Sequence, residues 1–121
     1  MCIRDSFTGG LSPGQSTNAT AALIAERTKA KLFINATDVD GVFTSDPRKN
    51  KNAKLIKSIT TKNLLGKVVD DKMSAGTYDL MDLLSLKIIE RSKIPTIVIK
   101  CDSRRIKSAI SGKSKGTKIT S

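Results

Sequence analysis

The sequence contains no histidine and only four aromatic side chains, namely Phe7, Phe33, Phe43 and Tyr78. Without histidine it lacks the commonest general base and the commonest transition-metal ligand. Four rings are too few to build a stacking platform for single-stranded nucleic acid. The composition therefore favours chemistry that needs only positioning and charge stabilisation, of which phosphoryl transfer is the leading example.

Long apolar runs and cysteines are also scarce. The longest runs, TIVIK and LMDLLSLKII, are much shorter than the roughly 18–20 residues that cross a bilayer. The opening MCIRDSFTGG has no apolar core of the kind found in signal peptides, and two cysteines, Cys2 and Cys101, do not establish a disulfide framework. We expect a cytoplasmic protein with no membrane partner.

Positive charge, in contrast, is abundant. The 121 residues carry 22 basic and 11 acidic side chains, a net charge of +11, which makes polyanions plausible partners. The basic residues are spread over the whole chain, however, and aromatic residues are few. A basic, non-catalytic nucleic-acid-binding module is therefore an alternative function, and our expectation is that nucleic acid is not the partner. The length suits one domain with a core.

The pattern predicts the order helix, strand, hairpin, helix, helix, strand, helix, strand. A Gly/Pro/Ser loop leads into the first helix, which Ser16, Thr17 or Asn18 can cap. Residues 31–36 are short and apolar, as in a central buried strand. An exposed excursion and a short strand at residues 54–59 follow, and then a helix capped by Thr60 or Thr61 that runs to about Val69.

The strongest helix is predicted from YDLMDLLSLKIIERS, with one mostly apolar stripe formed by Leu80, Leu83, Leu84, Lys87 and Ile88. Pro95 ends this segment, and the strand TIVIK follows at once. A helix followed directly by an apolar strand indicates a parallel sheet covered by helices. A capped helix from DSRRIKSAISG and a short strand from GTKIT complete the chain, and the basic residues Arg104, Arg105 and Lys107 are expected on a solvated face.

Two segments could carry chemistry. In GGLSPGQST, glycines and hydroxyls precede a helix N-terminus, which would suit an anionic or nucleotide ligand, although a simple capped loop explains the same residues. Asp38 and Asp40 follow the end of a strand, where open α/β sheets bind ligands. They could hold Mg²⁺ beside a phosphate, directly or through water, or Asp40-Gly41 could simply close a hairpin.

Three blocks, together with a closing GKSKGT, resemble the C-terminal half of uridylate kinase of the archaeal type, in the amino acid kinase superfamily. The blocks are GGLSPGQSTNATAALIAE, FINATDVDGVFTSDPRK and MSAGTYDLMDLLSLKIIERSKIPTIVI. The resemblance covers residues 9–121, whereas residues 1–8 match nothing in the family and are expected to be a non-native start. TDVDGVFTSDP alone also resembles aspartokinases, so another superfamily member of that kind is an alternative. PGQST and SAGTYDLMDLL favour uridylate kinase.

This resemblance implies an α/β fold, a three-layer αβα sandwich with a mostly parallel sheet, of which the N-terminal half is missing here. It implies a UMP kinase of pyrimidine nucleotide biosynthesis, which transfers the γ-phosphate of ATP to UMP and gives UDP and ADP. Mg²⁺ would accompany ATP. Family members of this kind form homo-oligomers, commonly hexamers, so an oligomer is expected.

The resemblance also assigns site residues. The segment that aligns with the UMP-binding loop consists of Leu11, Ser12, Pro13, Gly14, Gln15, Ser16 and Thr17. The ATP contacts align with Thr37, Asp38, Phe43 and Asp46. Asp38 and Asp40 would act catalytically by orienting Mg²⁺-ATP and neighbouring donors, with no direct metal ligand assigned. Phe43 stands where tyrosine is frequent, and Asn18 where aspartate is common.

Overall fold

Residues 8–10, 17–45, 47–73, 81–113 and 115–121 are described by a computed structural model, with the backbone alone for residues 68–73. These residues form helices and strands in the predicted order. The elements are α1 (Thr17–Arg27), β1 (Phe33–Thr37), β2 (Ser58–Thr60), α2 (Thr61–Met73), α3 (Leu83–Ser92), β3 (Thr96–Lys100), α4 (Ser103–Ile110) and β4 (Thr117–Thr120).

Side-chain caps fix where two of the helices begin. The Thr60 hydroxyl oxygen accepts a hydrogen bond from the Asn63 amide at 3.3 Å, which confirms the predicted cap of α2. The Asp102 carboxylate accepts from the Arg104 amide at 3.1 Å at the start of α4. Within the described ranges, no helix has the length and apolar character that a membrane span requires.

The sheet has the strand order β1-β3-β4-β2. The pairs β1/β3 and β2/β4 are parallel and the central pair β3/β4 is antiparallel, so the prediction of a mostly parallel sheet is confirmed. The prediction that the strand at residues 31–36 is central was wrong, because β1 lies at an edge of the described sheet. Its apolar sequence reflects helices packed on both faces, and burial of the faces does not require a hydrogen-bonded neighbour on both edges.

Helices cover the two faces of the sheet unequally. The face that we call the three-helix face packs against α1, α2 and α3 and contributes Phe33, Ile59, Val98 and Ile119 to the main core. The opposite face, the one-helix face, packs against α4 alone among the described helices and forms a smaller cluster around Ile97, Ile99 and Ala109. The result is a layered α/β arrangement with most of its apolar burial on one side.

The buried stripe of α3 differs from the predicted one. Its buried residues are Ser85, Leu86, Ile88 and Ile89, whereas Leu84 is 43% exposed and Lys87 is exposed. Leucines and isoleucines occur almost all round this helix, so their spacing alone did not fix its orientation. Ser85 can be buried because its hydroxyl donates to the Asp82 carbonyl at 2.8 Å. Leu80, the first residue of the predicted stripe, lies outside the described residues.

Candidate functional site

The candidate site begins where β1 and β3 end together. The Cys101 amide donates to the Thr37 carbonyl at 2.7 Å, which extends the pairing of these parallel strands to their carboxyl ends. Asp38 follows β1 directly, and the chain then turns through Asp40-Gly41 into residues 42–56. The predicted aspartates therefore lie at the edge of the sheet where open α/β folds bind ligands.

Asp38 lies at the surface between two polar neighbours. The Thr37 hydroxyl donates to Asp38 Oδ1 at 3.2 Å, and Arg48 Nη2 lies 3.3 Å from Asp38 Oδ2. The Asp38 and Arg48 side chains are 68% and 63% exposed. An ion pair this exposed contributes little to stability and separates readily, so both charges are accessible to a ligand.

Asp40 is held by a helix from the one-helix face. Arg105 Nη1, on the first turn of α4, lies 2.5 Å from Asp40 Oδ1, and both side chains are partly buried. The expectation that Arg105 belongs to a solvated face was therefore wrong. Residues 40 and 105 are distant in the sequence, and only the approach of α4 to the end of β1 brings the two charges together.

Thr117, at the start of β4, fastens the loop that follows Asp40. Its hydroxyl oxygen accepts from the Val42 amide at 2.8 Å, and its hydroxyl donates to the Ile56 carbonyl at 2.5 Å. Gly41 allows this approach, since a Cβ there would lie 2.6 Å from the Thr117 hydroxyl oxygen. The turn at Asp40-Gly41 is thus fixed by a buried polar contact with the sheet.

Residues 42–56 fold back as a hairpin that closes between Thr44 and Lys54, so the alternative in which Asp40-Gly41 closes the hairpin was wrong. The Ile56 amide donates to the Val42 carbonyl at 2.8 Å, the Thr44 amide donates to the Lys54 carbonyl at 2.9 Å, and Phe43 pairs with Leu55 in an antiparallel bridge. Phe43 is half-buried there, so part of its ring remains open to a ligand. Asp46, the other residue assigned to ATP from this segment, lies outside the described residues.

The second predicted segment borders a cavity beside β1. Thr17 is the first residue of α1, and it lines a cavity of about 280 Å³ together with Thr8, Gly9, Asn18, Thr20 and residues 33–36 of β1. The Thr20 hydroxyl is buried and has no hydrogen-bond partner among the described residues. The remaining residues of the predicted UMP loop, Leu11, Ser12, Pro13, Gly14, Gln15 and Ser16, lie outside the described residues.

The cavity suits an anion with further polar groups. The first turn of a helix presents amide groups without intrahelical acceptors and the positive end of the helix dipole. A buried hydroxyl without a partner is costly unless a ligand or water completes its hydrogen bonding. The Thr20 hydroxyl is therefore an available ligand contact, and the sequence patterns used above gave no indication of it.

The surroundings of the two aspartates, as far as the structure describes them, bear on how a metal ion could bind. In the described part of the chain, no three histidine, cysteine or acidic residues come together in a way that could hold a metal ion. Asp38 and Asp40 each face an arginine instead. This donor set fits a Mg²⁺ ion that arrives on a nucleotide and keeps its phosphate and water ligands, rather than an ion held by protein alone.

The sequence reasoning missed Arg48, Arg105, Thr117 and Thr20 as site residues. One signal was present in GKSKGT, where Thr117 is the last residue and Gly116 precedes it. A Cβ on Gly116 would collide with the Val98 carbonyl oxygen, so only glycine lets β4 enter beside β3 at this point. The motif therefore marks the place where β4 approaches β3 closely, and this approach positions Thr117 at the site.

With this geometry established, comparison with known proteins decides the family. A profile described as the amino acid kinase family matches residues 6–100. The chain belongs to the amino acid kinase family. This agrees with the α/β layers and with the position of the aspartates at the carboxyl ends of β1 and β3.

Within the amino acid kinase family, the chain is similar to uridylate kinases of archaea. It is 46% identical over 111 residues to the uridylate kinase of Archaeoglobus fulgidus, covering 92% of this chain and 51% of that protein. It is 44% identical over 112 residues to the uridylate kinase of Thermococcus sibiricus, covering 92% and 50%. The chain thus spans about half the length of the curated relatives that it matches.

Solved structures show the same relationship. The crystal structure of uridylate kinase from Archaeoglobus fulgidus superposes with a TM-score of 0.77 at 45% identity, over 93% of this chain and 50% of that one. Aspartokinase III from E. coli, solved in complex with aspartate and ADP, superposes with a TM-score of 0.66 at 28% identity over 86% of this chain and 20% of that one. The resemblance to the amino acid kinase superfamily stated from the sequence is confirmed.

Proposed function

We propose that this chain is the nucleotide-binding C-terminal part of a UMP kinase, which transfers the γ-phosphoryl group of ATP to UMP and gives UDP and ADP. One observation carries the proposal. A cavity at the N-terminus of α1 and an aspartate-containing loop lie along the same strand, β1, in a chain similar to uridylate kinases. The two features supply neighbouring places for two anionic nucleotides.

The acceptor UMP is assigned to the cavity beside α1. The proposed UMP contacts are Leu11, Ser12, Pro13, Gly14, Gln15, Ser16 and Thr17, of which Thr17 lines the cavity, and the Thr20 hydroxyl adds a buried contact. A phosphate is favoured at a helix N-terminus by the amide groups and by the dipole. The uracil and ribose offer the donors and acceptors that threonine and backbone groups can satisfy.

The donor ATP is assigned to the loop after β1. Thr37, Asp38, Phe43 and Asp46 would contact it, with the half-buried Phe43 ring against the adenosine. Asp38 and Asp40 are the proposed catalytic residues. Asp40, held by Arg105, would orient the donor groups beside the transferred phosphate, and Asp38 would exchange its contact with Arg48 for one to the Mg²⁺-nucleotide.

The chemistry needs little from the protein beyond positioning. In phosphoryl transfer the attacking and leaving oxygens lie roughly in line, and charge develops on the transferred group. Fixed amide groups and basic side chains stabilise that charge without a histidine. When bound with ATP, Mg²⁺ supplies neutralisation of the phosphate oxygens, while the residues of this chain hold the two nucleotides in place.

The relatives are about twice as long as this chain, and the proposal assigns residues 9–121 to the C-terminal part of such a kinase. Turnover by the proposed enzyme would then need the remaining phosphate-binding part, and its assembly into an oligomer stays a prediction. A cytoplasmic location and a role in pyrimidine nucleotide biosynthesis belong to the same proposal.

A second candidate acceptor is aspartate, because the superposition extends to aspartokinase III solved with aspartate and ADP. Calorimetric titration of the 121-residue chain with UMP, with Mg²⁺-ATP and with aspartate distinguishes the acceptors. We expect heat of binding from UMP and Mg²⁺-ATP and none from aspartate. Binding of aspartate without UMP would contradict the proposal and favour the amino acid acceptor.

A variant pair tests the cavity directly. Thr20→Val removes the buried hydroxyl without changing the size of the side chain, and Thr28→Val, at the surface beyond the other end of α1, is the matched control. We expect Thr20→Val to weaken UMP binding about two- to tenfold, the effect of one hydrogen bond. Unchanged UMP affinity, or an equal effect of Thr28→Val, would place UMP elsewhere.

Catalysis can be tested in a chimera in which the N-terminal half of the Archaeoglobus fulgidus uridylate kinase precedes residues 9–121. UMP-dependent formation of ADP is expected, and Asp40→Asn should lower the turnover number more than it raises KM for ATP, because it removes an orienting charge. A folded chimera that lacks UMP-dependent turnover would overturn the kinase assignment.

A further inference from the structure

A groove of about 720 Å³ opens on the one-helix face, beside the C-terminal end of α4. Its apolar floor and wall include Leu32, Leu55, Ile97, Ala109 and Ile110. Four lysines line it as well, namely Lys31, Lys57, Lys115 and Lys118. We call this feature the lysine groove.

The register of the sheet explains why the groove is open. Ile97, Lys118 and Ser58 are lateral neighbours on β3, β4 and β2, so all three lie on the one-helix face. The apolar surface under α4 therefore gives way to polar side chains at β4. Among the described residues, α4 packs mainly on β1 and β3, which leaves this face more open at β4 and β2.

Charge in the groove has one sign. None of the described residues that line it is aspartate or glutamate, while four of them are lysines. Like charges around an apolar concavity raise the local positive potential, because the low-dielectric walls focus the field. An anion entering the groove would relieve this repulsion.

Ile110 supplies an apolar contact at the wall. Its side chain is 69% exposed, compared with 42% for Ile24 and 43% for Leu84, the other large apolar residues exposed in the described chain. Together with Leu32 and Leu55, it forms an apolar surface. Burial of this surface under an apolar part of a ligand would be favourable. Inorganic anions have no apolar group that could bury this surface. The charged backbone of an extended nucleic acid is likewise not complementary to the apolar floor of the groove.

We propose that the lysine groove binds a small organic anion, with a phosphate, sulfonate or carboxylate group on an apolar body. Its volume lies in the range of small-molecule sites, roughly 300–1,000 Å³. Lys31, Leu32 and Pro95 of its lining precede β1 and β3, at the opposite end of these strands from Asp38 and Asp40, whereas Leu55 is the bridge partner of Phe43. No aspartate among the described residues lines the groove, and the proposal does not depend on the kinase assignment.

The test uses 8-anilinonaphthalene-1-sulfonate, an aromatic sulfonate, as the probe. Fluorescence titration gives its affinity, and amide chemical shifts in ¹⁵N-labelled protein locate it. We expect one saturable site, with the largest shifts at Leu32, Lys57 and Ile97. Lys118→Glu should weaken binding about three- to tenfold, because it reverses a charge at the groove, whereas Lys87→Glu, an exposed lysine of α3, should have little effect.

Further variants test the contact with the anionic group and the contact with the apolar body separately. Lys115→Glu repeats the charge test outside the sheet, in case Lys118→Glu fails to fold. Ile110→Ser should weaken binding of the probe while Ile24→Ser does not. Inorganic tripolyphosphate should displace the probe only weakly, since it lacks an apolar body.

Three results would overturn the proposal. The first is shifts centred on residues outside the groove, and the second is equal effects of the Lys118→Glu and Lys87→Glu charge reversals in folded proteins. The third is displacement of the probe by tripolyphosphate or by an RNA duplex at concentrations at which the probe itself binds, because the groove would then recognise charge alone.

Discussion

The two faces of the sheet differ in what they contribute. On the three-helix face, β-strand side chains such as Val98 and Ile119 are fully buried in one continuous core. On the one-helix face, apolar packing is limited to the surface under α4, and charged groups occupy the rest. Arg105 of the candidate site and the lysines of the groove all belong to this second side. The described residues thus place most of their apolar burial on the three-helix face, while the one-helix face carries Arg105 and the lysine groove.

Neighbouring residues of β4 test this division most strongly. Ile119→Ala should lower the free energy of unfolding by about 2–5 kcal/mol, because it opens a cavity in the main core. Lys118→Ala, one position away on the opposite face, should change it by no more than about 0.5 kcal/mol. Urea denaturation of both variants provides the measurement. Equal losses would show that the one-helix face is as important for stability as the other.

Substitution of Thr117 tests whether a buried side chain of β4 stabilises the loop that follows Asp40. Thr117→Val keeps the shape but leaves the buried Val42 amide without its acceptor, at a cost of about 1–3 kcal/mol. Amide hydrogen exchange should accelerate at Val42 and Ile56 in particular. Thr28→Val, which removes an exposed hydroxyl bonded within its own helix end, is the control and should leave exchange at those amides unchanged.

Replacement of the N-cap aspartates of α4 and α3 compares how much each contributes to stability. Asp102→Ala removes a side-chain cap from the only described helix on the one-helix face and should cost about 1 kcal/mol. Asp82→Ala should cost nothing or increase stability slightly, because Asp82 makes no cap hydrogen bond and its buried Oδ1 has no partner among the described residues. Thermal unfolding of the pair is the measurement. A larger loss from Asp82→Ala would reverse the comparison.

The smallest expected effect comes from the ion pair between α1 and α3. Two hydrogen bonds from Arg91, at 2.6 and 2.9 Å, lower the pKa of Glu26 below its ordinary value of 4.5. The pair therefore stabilises the fold above that ordinary pKa, and its contribution is lost as the pH falls through the lowered pKa of the folded state. Because Arg91 is largely exposed, the contribution is small.

Melting temperatures of wild type and Glu26→Gln, measured from neutral to acidic pH, check this prediction. The two proteins should differ slightly at neutral pH and converge as the solution becomes more acidic. Lys87→Gln, which removes an exposed charge elsewhere on α3, serves as the control and should show no such convergence. A difference that grows on acidification would have the wrong sign and would contradict the assignment.

Local sequence features predicted the elements better than their arrangement. The cap at Thr60, the strand TIVIK and the turn at Asp40-Gly41 follow from short-range chemistry, and they were found where the sequence placed them. The edge position of β1 could not be predicted in this way. An apolar run indicates that helices pack on both faces of a strand, but it does not indicate how many strands lie beside it. The orientation of α3 failed for a related reason, because its apolar residues surround the helix.

The candidate site shows the same limit. Asp38 and Asp40 could be proposed from their position after a strand, and Phe43 from its resemblance to a family motif. Their supporting partners could not, because Arg105 and Thr117 are far away in the sequence and have no local pattern that indicates contact.

The contact between the Val42 amide and the Thr117 hydroxyl joins residues 75 positions apart. Contacts of such long sequence separation form late, because chain entropy must be lost before they contribute, and folds rich in them take about milliseconds to seconds to form. The loop after Asp40 therefore acquires its shape only once β4 has entered the sheet. In a refolding experiment, nucleotide binding at the proposed site should therefore appear no earlier than the protection of the β4 amides from hydrogen exchange.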